Sequence, residues 1–377
     1  MYIPQKQLQN LQKLLQLGKV VVVVYGPRRC GKTTLLKKVC EHTKDRFLFV
    51  SGEDIAVRAY LESESIEKLK AFVGNHQLLI IDEAQKITNT GLALKLLVDH
   101  IKNIKVIATG SSSFDLARNV GEPLTGRKFT LHMFPLAQLE ISAIEKRHET
   151  TAHLESRLIY GSYPEVVTHQ DNQQREIYLK EIVSSYLYKD ILELDGLRHS
   201  EKLVRLLQLL AFQIGKEVSY HELGQQLSMS KNTVERYLDL LEKSFVVYKL
   251  RGLSRNLRKE ISKSPRYYFY DLGVRNALIN NFNMLPLRDD VGALWENYII
   301  SERLKKQEYQ HISANNYFWR TYDQKEIDFV EERAGKLFAY EIKWKKKTLK
   351  APKLWTDAYP NSTFDVIHPE NYLEFIA

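Results

Sequence analysis

Apolar positions recur along this chain in two rhythms. Between Pro4 and Leu17, the residues Leu8, Leu11, Leu14 and Leu15 fall at helical spacing. Short unbroken apolar runs follow at Val20–Tyr25, Phe47–Val50, Leu78–Ile81, Val106–Thr109 and Phe129–Phe134. They alternate with helix-patterned stretches at Lys32–His42, Ile66–Val73 and Leu92–Ile101. Strands covered on both faces read as continuous Val/Ile runs, whereas half-buried strands alternate. The pattern predicts an α/β unit over residues 1–150, with a parallel sheet between helical layers. Residues 151–213 carry only helical patterns, among them Glu176–Ile191 and Glu201–Ile214. A compact two-helix signature occupies 214–255. From 256 to 377 aromatic strand-like runs (RYYFYD, NYFWRTYD, EIDFVEE, KLFAYEIKW) mix with one strong helix, Gly292–Lys305, predicting a second α/β core.

Length and charge refine this division. At about 150 residues per domain, 377 residues suggest two or three domains. The net charge of +9 is unevenly placed. Lys249–Arg266 carries seven basic residues and one Glu, and Ile342–Lys353 carries six Lys and no acid. Each stretch is net +6, so the remainder of the chain is net −3. An apolar share of 44% with 27% charged residues excludes a disordered chain. No apolar run approaches the roughly 18 residues of a membrane span. Cys30 and Cys40 form neither a CxxC pair nor a disulfide framework. The expectation is a cytoplasmic protein without a membrane partner.

The most specific motif is Gly26-Pro27-Arg28-Arg29-Cys30-Gly31-Lys32-Thr33, followed by Thr34, which fits G-x-x-x-x-G-K-[ST] between an apolar strand and a helix. Gly26 and Gly31 allow backbone N–H groups to curl around phosphate oxygens, at a helix N-terminus that adds partial positive charge. Lys32 is expected to reach the β/γ-phosphates of ATP, and the Thr33 hydroxyl to coordinate Mg2+. About fifty residues downstream, Leu78–Ile81 ends in Asp82-Glu83. Carboxylates at the C-terminal end of such a strand lie where open α/β sheets bind ligands. Asp82 is the expected second Mg2+ holder, and Glu83 the base that polarises the attacking water. Ser111, in Thr109-Gly110-Ser111-Ser112-Ser113, is a candidate γ-phosphate sensor or, alternatively, part of a turn that caps the next helix.

Loop, Asp-Glu strand, TGSS turn and a Gly-Arg before Phe129–Phe134 together resemble ATPases of the AAA superfamily. The resemblance implies an arginine that completes a neighbouring subunit's site and thus a homo-oligomer. Arg127 in Leu124-Thr125-Gly126-Arg127 matches that position, with Arg118 as the alternative; a surface ion pair is the competing reading of either. The family's second sensor arginine has no identifiable match.

Ser219–Leu227 reads as a short helix with Ser219 as N-cap and Glu222 three residues on, a capping box. After a turn at Met229-Ser230, a second helix extends to Lys243 with Val234, Leu238 and Leu241 inward. With a strand at Phe245–Leu250 and Arg251-Gly252 opening a wing, this is a winged helix-turn-helix pattern. Its outward residues Lys231, Asn232, Thr233 and Arg236 suit contacts to DNA phosphates and base edges. A packing or regulatory module for a protein partner is the other reading.

In the last region, Glu326-Ile327-Asp328 and Glu341-Ile342-Lys343 flank Gly335. A two-residue turn at Ala334-Gly335 sets Arg333 against Lys336 and therefore Asp328 against Glu341, with Lys343 on the same face. Opposed carboxylates repel unless a cation lies between them, which suggests a divalent metal site at Asp328 and Glu341, with Glu296 as a further ligand. This assembly resembles the restriction-endonuclease-like family, whose pattern is a helix Glu, then Asp, then Glu-x-Lys. The resemblance implies nuclease residues Asp328, Glu341 and Lys343, with Lys345, Lys346 and Lys347 beside them to hold DNA. A charge network without cleavage is the competing reading. Over nearly its whole length the chain resembles bacterial and archaeal AAA-type ATPases that end in a restriction-endonuclease-like domain. Gly161-Ser162-Tyr163-Pro164-Glu165 and Tyr268–Val274 are typical of that group; the first reads as a turn before a helix, and Asp271 as a helix cap.

Overall fold

The computed structural model describes residues 2–111, 128–187, 200–254, 264–321 and 323–377. These fall into two compact units, one of residues 2–135 with 243–245, the other of 136–242 with 246–377.

The first unit is a parallel sheet in the order β2-β3-β4-β1-β5, with β1 at Val20–Tyr25, β2 at Phe47–Ser51, β3 at Leu78–Asp82, β4 at Lys105–Gly110 and β5 at Lys128–His132. Helices α1 (Lys6–Leu15), α2 (Lys32–His42), α3 (Ile55–Leu61), α4 (Ile66–Val73) and α5 (Thr90–His100) accompany it. β1 explains why its sequence does not alternate. Val20, Val22 and Val24 enter one core with Leu11, Leu35, Leu36 and Val39, while Val21, Val23 and Tyr25 enter the opposite core with Leu69, Leu94 and Leu97. Both faces are dry, so both parities must be apolar. The expected strands and the helices at 32–42 and 66–73 are present. The helix Ile55–Leu61 is additional; it is short, buries only Val57 and Leu61, and starts on Asp54, whose side chain accepts the Ala56 N–H. Residues 243–245 join this unit through Phe245, which lies 5.7 Å from the His132 ring and 6.0 Å from Phe134.

The second unit contains a six-stranded mixed sheet, β11-β10-β9-β8-β6-β7: β6 Val247–Gly252, β7 Arg266–Phe269, β8 Asn315–Arg320, β9 Glu326–Arg333, β10 Lys336–Ile342 and β11 Thr363–Ile367. Two features of the second unit lie across the expected boundaries. The segment from Leu136 is bonded within the second unit: Leu136 N–H donates to Ser162 O, Gln138 N–H to Glu302, and Tyr298 Oη–H to Gln138. β6 pairs antiparallel with β7 and parallel with β8, so the strand after the two-helix pattern and the terminal strands share one sheet.

The two-helix pattern is present as Tyr220–Leu227 and Lys231–Lys243. Ser219 accepts from Glu222 N–H at 3.4 Å, and Ser230 Oγ accepts from Thr233 N–H at 3.1 Å. Val234, Leu238 and Leu241 are buried as expected. The turn requires Gly224: Met229 N–H donates to Gly224 O at 2.8 Å, and a Cβ there would come within 2.7 Å of Met229 O. The following strand begins two residues later than expected, at Val247, because Phe245 adopts φ 58 and leaves extended geometry.

The segments at 161 and 268 form one joint. Asp271 caps the helix Leu272–Leu278 by accepting Val274 N–H, and its other oxygen accepts Ser162 N–H at 2.7 Å. Gly161 has φ +72, and a Cβ there would overlap the Asp271 carboxylate. A Cβ on Gly273 would stand 2.0 Å from Tyr160 O. Gly→Ala inside a helix ordinarily stabilises by up to about 1 kcal/mol. Here the clash dominates, so Gly273→Ala is expected to destabilise this unit by about 1–3 kcal/mol. Gly292→Ala, at a helical position with open space around it, should be neutral or slightly stabilising. Thermal melting of the two variants checks the contrast in sign.

Candidate functional site

β1 ends at Tyr25, and the chain turns through Gly26–Gly31 into α2, so the loop hangs from the C-terminal edge of the sheet. Gly31 holds φ +103, and a Cβ on Gly26 would lie 2.4 Å from Met133 O, so both positions require glycine. Pro27, Arg28, Arg29 and Cys30 complete the curve, with Arg29 also left-handed at φ 62 and Cys30 buried. Lys32 is buried and donates to Gly26 O at 2.9 Å and Pro27 O at 3.0 Å, which aims its ammonium into the concave side of the loop. Thr33 and Thr34 are exposed at the start of α2.

The two halves of the site meet directly. Thr33 Oγ1 donates to Asp82 Oδ2 at 2.7 Å, across 49 positions of sequence. The opposite carboxylate oxygen accepts from Thr109 Oγ1 at 2.5 Å and from Glu83 N–H at 3.2 Å. Glu83 N–H also donates to Thr109 Oγ1 at 3.1 Å. Glu83 stands just past β3 in a left-handed conformation, φ 52, which carries it off the strand direction. Its carboxylate accepts from Gln85 Nε2, and Gln85 Nε2 also donates to Ser111 Oγ at 3.2 Å. Strands β3, β4 and β1 are neighbours, so Asp82, Thr109 and the loop necessarily converge. Thr109 and Gln85 were not singled out from sequence; the signals were their places in the TGSS run and one residue beyond Asp82-Glu83-Ala84. Arg127 and Arg118 lie outside the described residues, as do Ser112 and Ser113.

A hydroxyl beside a carboxylate is the hard-oxygen donor set that suits Mg2+, and a glycine cradle with a buried lysine suits polyphosphate. The residues present therefore fit Mg2+-ATP.

The second expected site is assembled differently from expectation. The hairpin has the anticipated register, Arg333 opposite Lys336 through Phe329 opposite Tyr340, around a turn in which Ala334 (φ 48) and Gly335 (φ 74) are both left-handed. Just beyond that pair, the carboxylates of Asp328 and Glu341 share one cation, the Lys343 ammonium. It is 3.2 Å from Asp328 Oδ2 and 2.7 Å from Glu341 Oε1, and Ile342 N–H also donates to Asp328 at 2.8 Å. Glu296 accepts from Tyr268 Oη at 2.6 Å, with Arg266 at 3.8 Å. Among the described residues no group of three His, Cys, Asp or Glu side chains is placed to hold a metal ion. In this structure the Lys343 ammonium neutralises both carboxylates. Burial opposes that charge, yet Asp328 and Glu341 hold Lys343 above the ordinary lysine range. Burial, reinforced by Asp328, raises Glu341 and pushes Glu296 up to about 8.

Of the expected DNA-contacting residues, Lys231, Asn232 and Arg236 are exposed, and the Thr233 hydroxyl is paired with Ser230 Oγ at 2.8 Å. Lys345 and Lys347 are exposed. Lys346 forms an exposed ion pair with Glu370 at 2.6 Å, which salt and solvent weaken. Residues 255–263 of the first basic stretch lie outside the described residues. No described helix is long and apolar enough to cross a membrane.

Comparison with known proteins agrees with the first site. Residues 18–142 match the family model of the AAA domain. Residues 151–285 match a domain of unknown function (DUF8612), and 291–371 a second one (DUF4143). An uncharacterized protein of Mycobacterium tuberculosis is 27% identical over 328 residues, covering 86% of this chain and 70% of its own. Another, of Methanocaldococcus jannaschii, is 26% identical over 330 residues, covering 82% of this chain and 71% of its own. A solved Walker-type ATPase of Pyrococcus abyssi superposes with a TM-score of 0.50 at 15% identity, covering 74% of this chain and 96% of that one, a likeness of fold. Residues 18–142 of the first unit thus match the AAA domain model, and the geometry of the phosphate loop accords with that match.

One consequence concerns pH. Glu296 in the folded chain titrates above its ordinary carboxylate value, so the folded state holds that proton more tightly than the unfolded one. This contribution to stability is complete below about 4.5, declines as pH rises, and is gone above about 8. Glu296→Gln should flatten the fall in melting temperature across that window; an unchanged slope assigns it to other groups.

Proposed function

We propose that this chain is a Mg2+-dependent ATPase that couples nucleotide hydrolysis to a DNA-associated second unit. The observation that carries the reading is the 2.7 Å contact between Thr33 and Asp82, which joins the phosphate-loop hydroxyl to the strand-end carboxylate beside the buried Lys32. In this reading the N–H groups of Gly26–Gly31 and the α2 N-terminus bind the phosphates, and Lys32 stabilises charge on the β/γ oxygens. Thr33 and Asp82 hold Mg2+, which supplies neutralisation of phosphate charge. Glu83 accepts a proton from the attacking water, and Ser111 donates to the γ-phosphate. Arg127 is assigned to a neighbouring subunit's site.

The DNA assignment rests on the exposed Lys231, Asn232 and Arg236 on the second helix of the helix-turn-helix and on the exposed Lys345–Lys347 run. A second reading, a nucleotide-dependent switch for a protein partner with an inert terminal region, is favoured by one observation: Lys343 bridges Asp328 and Glu341 where a nuclease would need a metal ion.

Lys32→Ala is expected to abolish ATP binding. Glu83→Gln should preserve binding and lower turnover by about 10²-fold or more, the usual contribution of a positioned base. Normal hydrolysis by Glu83→Gln would refute the base assignment.

For the second unit, DNA affinity should fall steeply with salt, and replacing Lys345, Lys346 and Lys347 by Gln should reduce both the affinity and the salt slope. DNA binding that ignores salt, or none at low salt, favours the protein-partner reading. Incubation of plasmid and branched DNA with Mg2+ or Mn2+ decides the remaining point. Cleavage by the wild type but not by Asp328→Ala establishes a nuclease, and no cleavage by either establishes the inert cluster.

A further inference from the structure

Gln85 is the residue that touches both the expected base and the expected sensor. It lies in the single turn Ala84–Lys86 that follows the left-handed Glu83. Its side-chain amide donates one hydrogen bond to a Glu83 carboxylate oxygen and another to Ser111 Oγ at 3.2 Å. An amide nitrogen has two protons, so this geometry uses both. The orientation of the group follows from its neighbours. Turned over, the amide would set its oxygen against a carboxylate, acceptor against acceptor. In the orientation adopted, Gln85 Oε1 is buried without a hydrogen-bond partner. A buried acceptor left unmatched is uncommon, and here it accompanies two donors committed to chemistry-bearing side chains.

The two contacts have different consequences. At Ser111 the hydroxyl oxygen is occupied as an acceptor, so its own proton is directed elsewhere and is available to an incoming phosphate oxygen. At Glu83 one carboxylate oxygen is held and the other remains to receive a proton. The carboxylate would otherwise rotate freely at the end of its side chain. Thr109 fixes the Glu83 backbone through its N–H at 3.1 Å, so Gln85 is the partner that fixes the carboxylate itself.

We propose that Gln85 is a positioning residue for ATP hydrolysis, a single amide that sets the Glu83 carboxylate and the Ser111 hydroxyl in one mutual arrangement. The inference rests on the reading of Glu83 as the base. In the step concerned, a water oxygen bonds to the γ-phosphorus as the bond to the ADP oxygen breaks, and the water proton passes to the free oxygen of Glu83. Gln85 takes no proton and touches no substrate atom; it acts through the two residues it holds. Phosphate and nucleotide affinity belong to the loop and Lys32, so losing Gln85 affects turnover and not binding.

The test measures ATP affinity and single-turnover phosphate release for the full-length chain and for Gln85→Ala, Gln85→Glu, Glu83→Gln and the double variant Glu83→Gln/Gln85→Ala. Misplacement of a reacting group by about 1 Å costs up to about 10²-fold, so Gln85→Ala should lower the hydrolysis rate tenfold or more while ATP affinity stays within about threefold. Gln85→Glu keeps the size and removes the donor, and should lose activity to a similar extent, which guards against a cavity effect in the alanine variant. In the Glu83→Gln background, Gln85→Ala should cause a markedly smaller further loss, only the part carried through Ser111, because the carboxylate it positions is already gone. If Glu83→Gln stops turnover but Gln85→Ala and Gln85→Glu hydrolyse normally, the inference alone is overturned. It is equally overturned if Gln85→Ala lowers the rate by the same factor in both backgrounds, since Gln85 then acts independently of Glu83. If Glu83→Gln itself turns over normally, the base reading fails and the inference with it.

Discussion

A buried carboxylate must be supplied with donors or it disrupts the interior around it. Asp82 meets that demand by drawing on three separate stretches of chain. Thr33 reaches it from the start of α2, Thr109 from the end of β4, and the Glu83 N–H from the residue that follows. The strand order β3-β4-β1 is what allows it, since the ends of three adjacent parallel strands lie within reach of one side chain. The loop conformation, the direction of Glu83 and the placing of Thr109 all follow from satisfying this one group. The structural and chemical demands on Asp82 coincide, because donors that satisfy the carboxylate also gather the residues able to handle a phosphate.

The second unit stabilises its charges by a different rule. Arg303 and Glu331 form a buried pair with Nε to Oε1 at 2.5 Å, Lys305 and Glu302 another at 2.7 Å, and Arg275 joins Asp290 at 2.6 Å. Each is supported by a further hydrogen bond: Arg303 to Phe375 O, Gln138 N–H to Glu302, and Arg275 to Ala211 O. Interior ion pairs contribute little net stability but are costly to break singly, so they favour one arrangement over its neighbours. The Asp328, Glu341 and Lys343 cluster follows the same pattern, with one lysine shared by two carboxylates.

Much of this was legible in the sequence where the signal was local. The loop spacing, the valine run of β1 that lacks alternation, the caps at Ser219 and Asp271, and the Ala334-Gly335 turn each express a short-range constraint within a few residues. The hairpin register follows from that turn, because its type fixes every pair up to Phe329 and Tyr340. What sequence could not convey was long-range. The parallel pairing of β6 with β8, Arg251 to Tyr317 and Gly252 to Phe318, leaves no mark at either position. Likewise, spacing places Lys343 on the same face as Glu341 but does not reveal that its ammonium bonds to both Asp328 and Glu341. Gln85 escapes notice because a glutamine just after an acidic pair is ordinary until its two hydrogen bonds are seen.

The shared sheet also limits how the chain can be divided. A fragment cut at residue 256 would retain β7 and β8 but lose β6, the strand between them. β7 would have no partner, and β8 would present an open edge carrying Phe318 and Trp319, which are buried in the intact sheet. Bare edges of this kind recruit other strands and aggregate. The terminal strands therefore depend on β6 to close their edge.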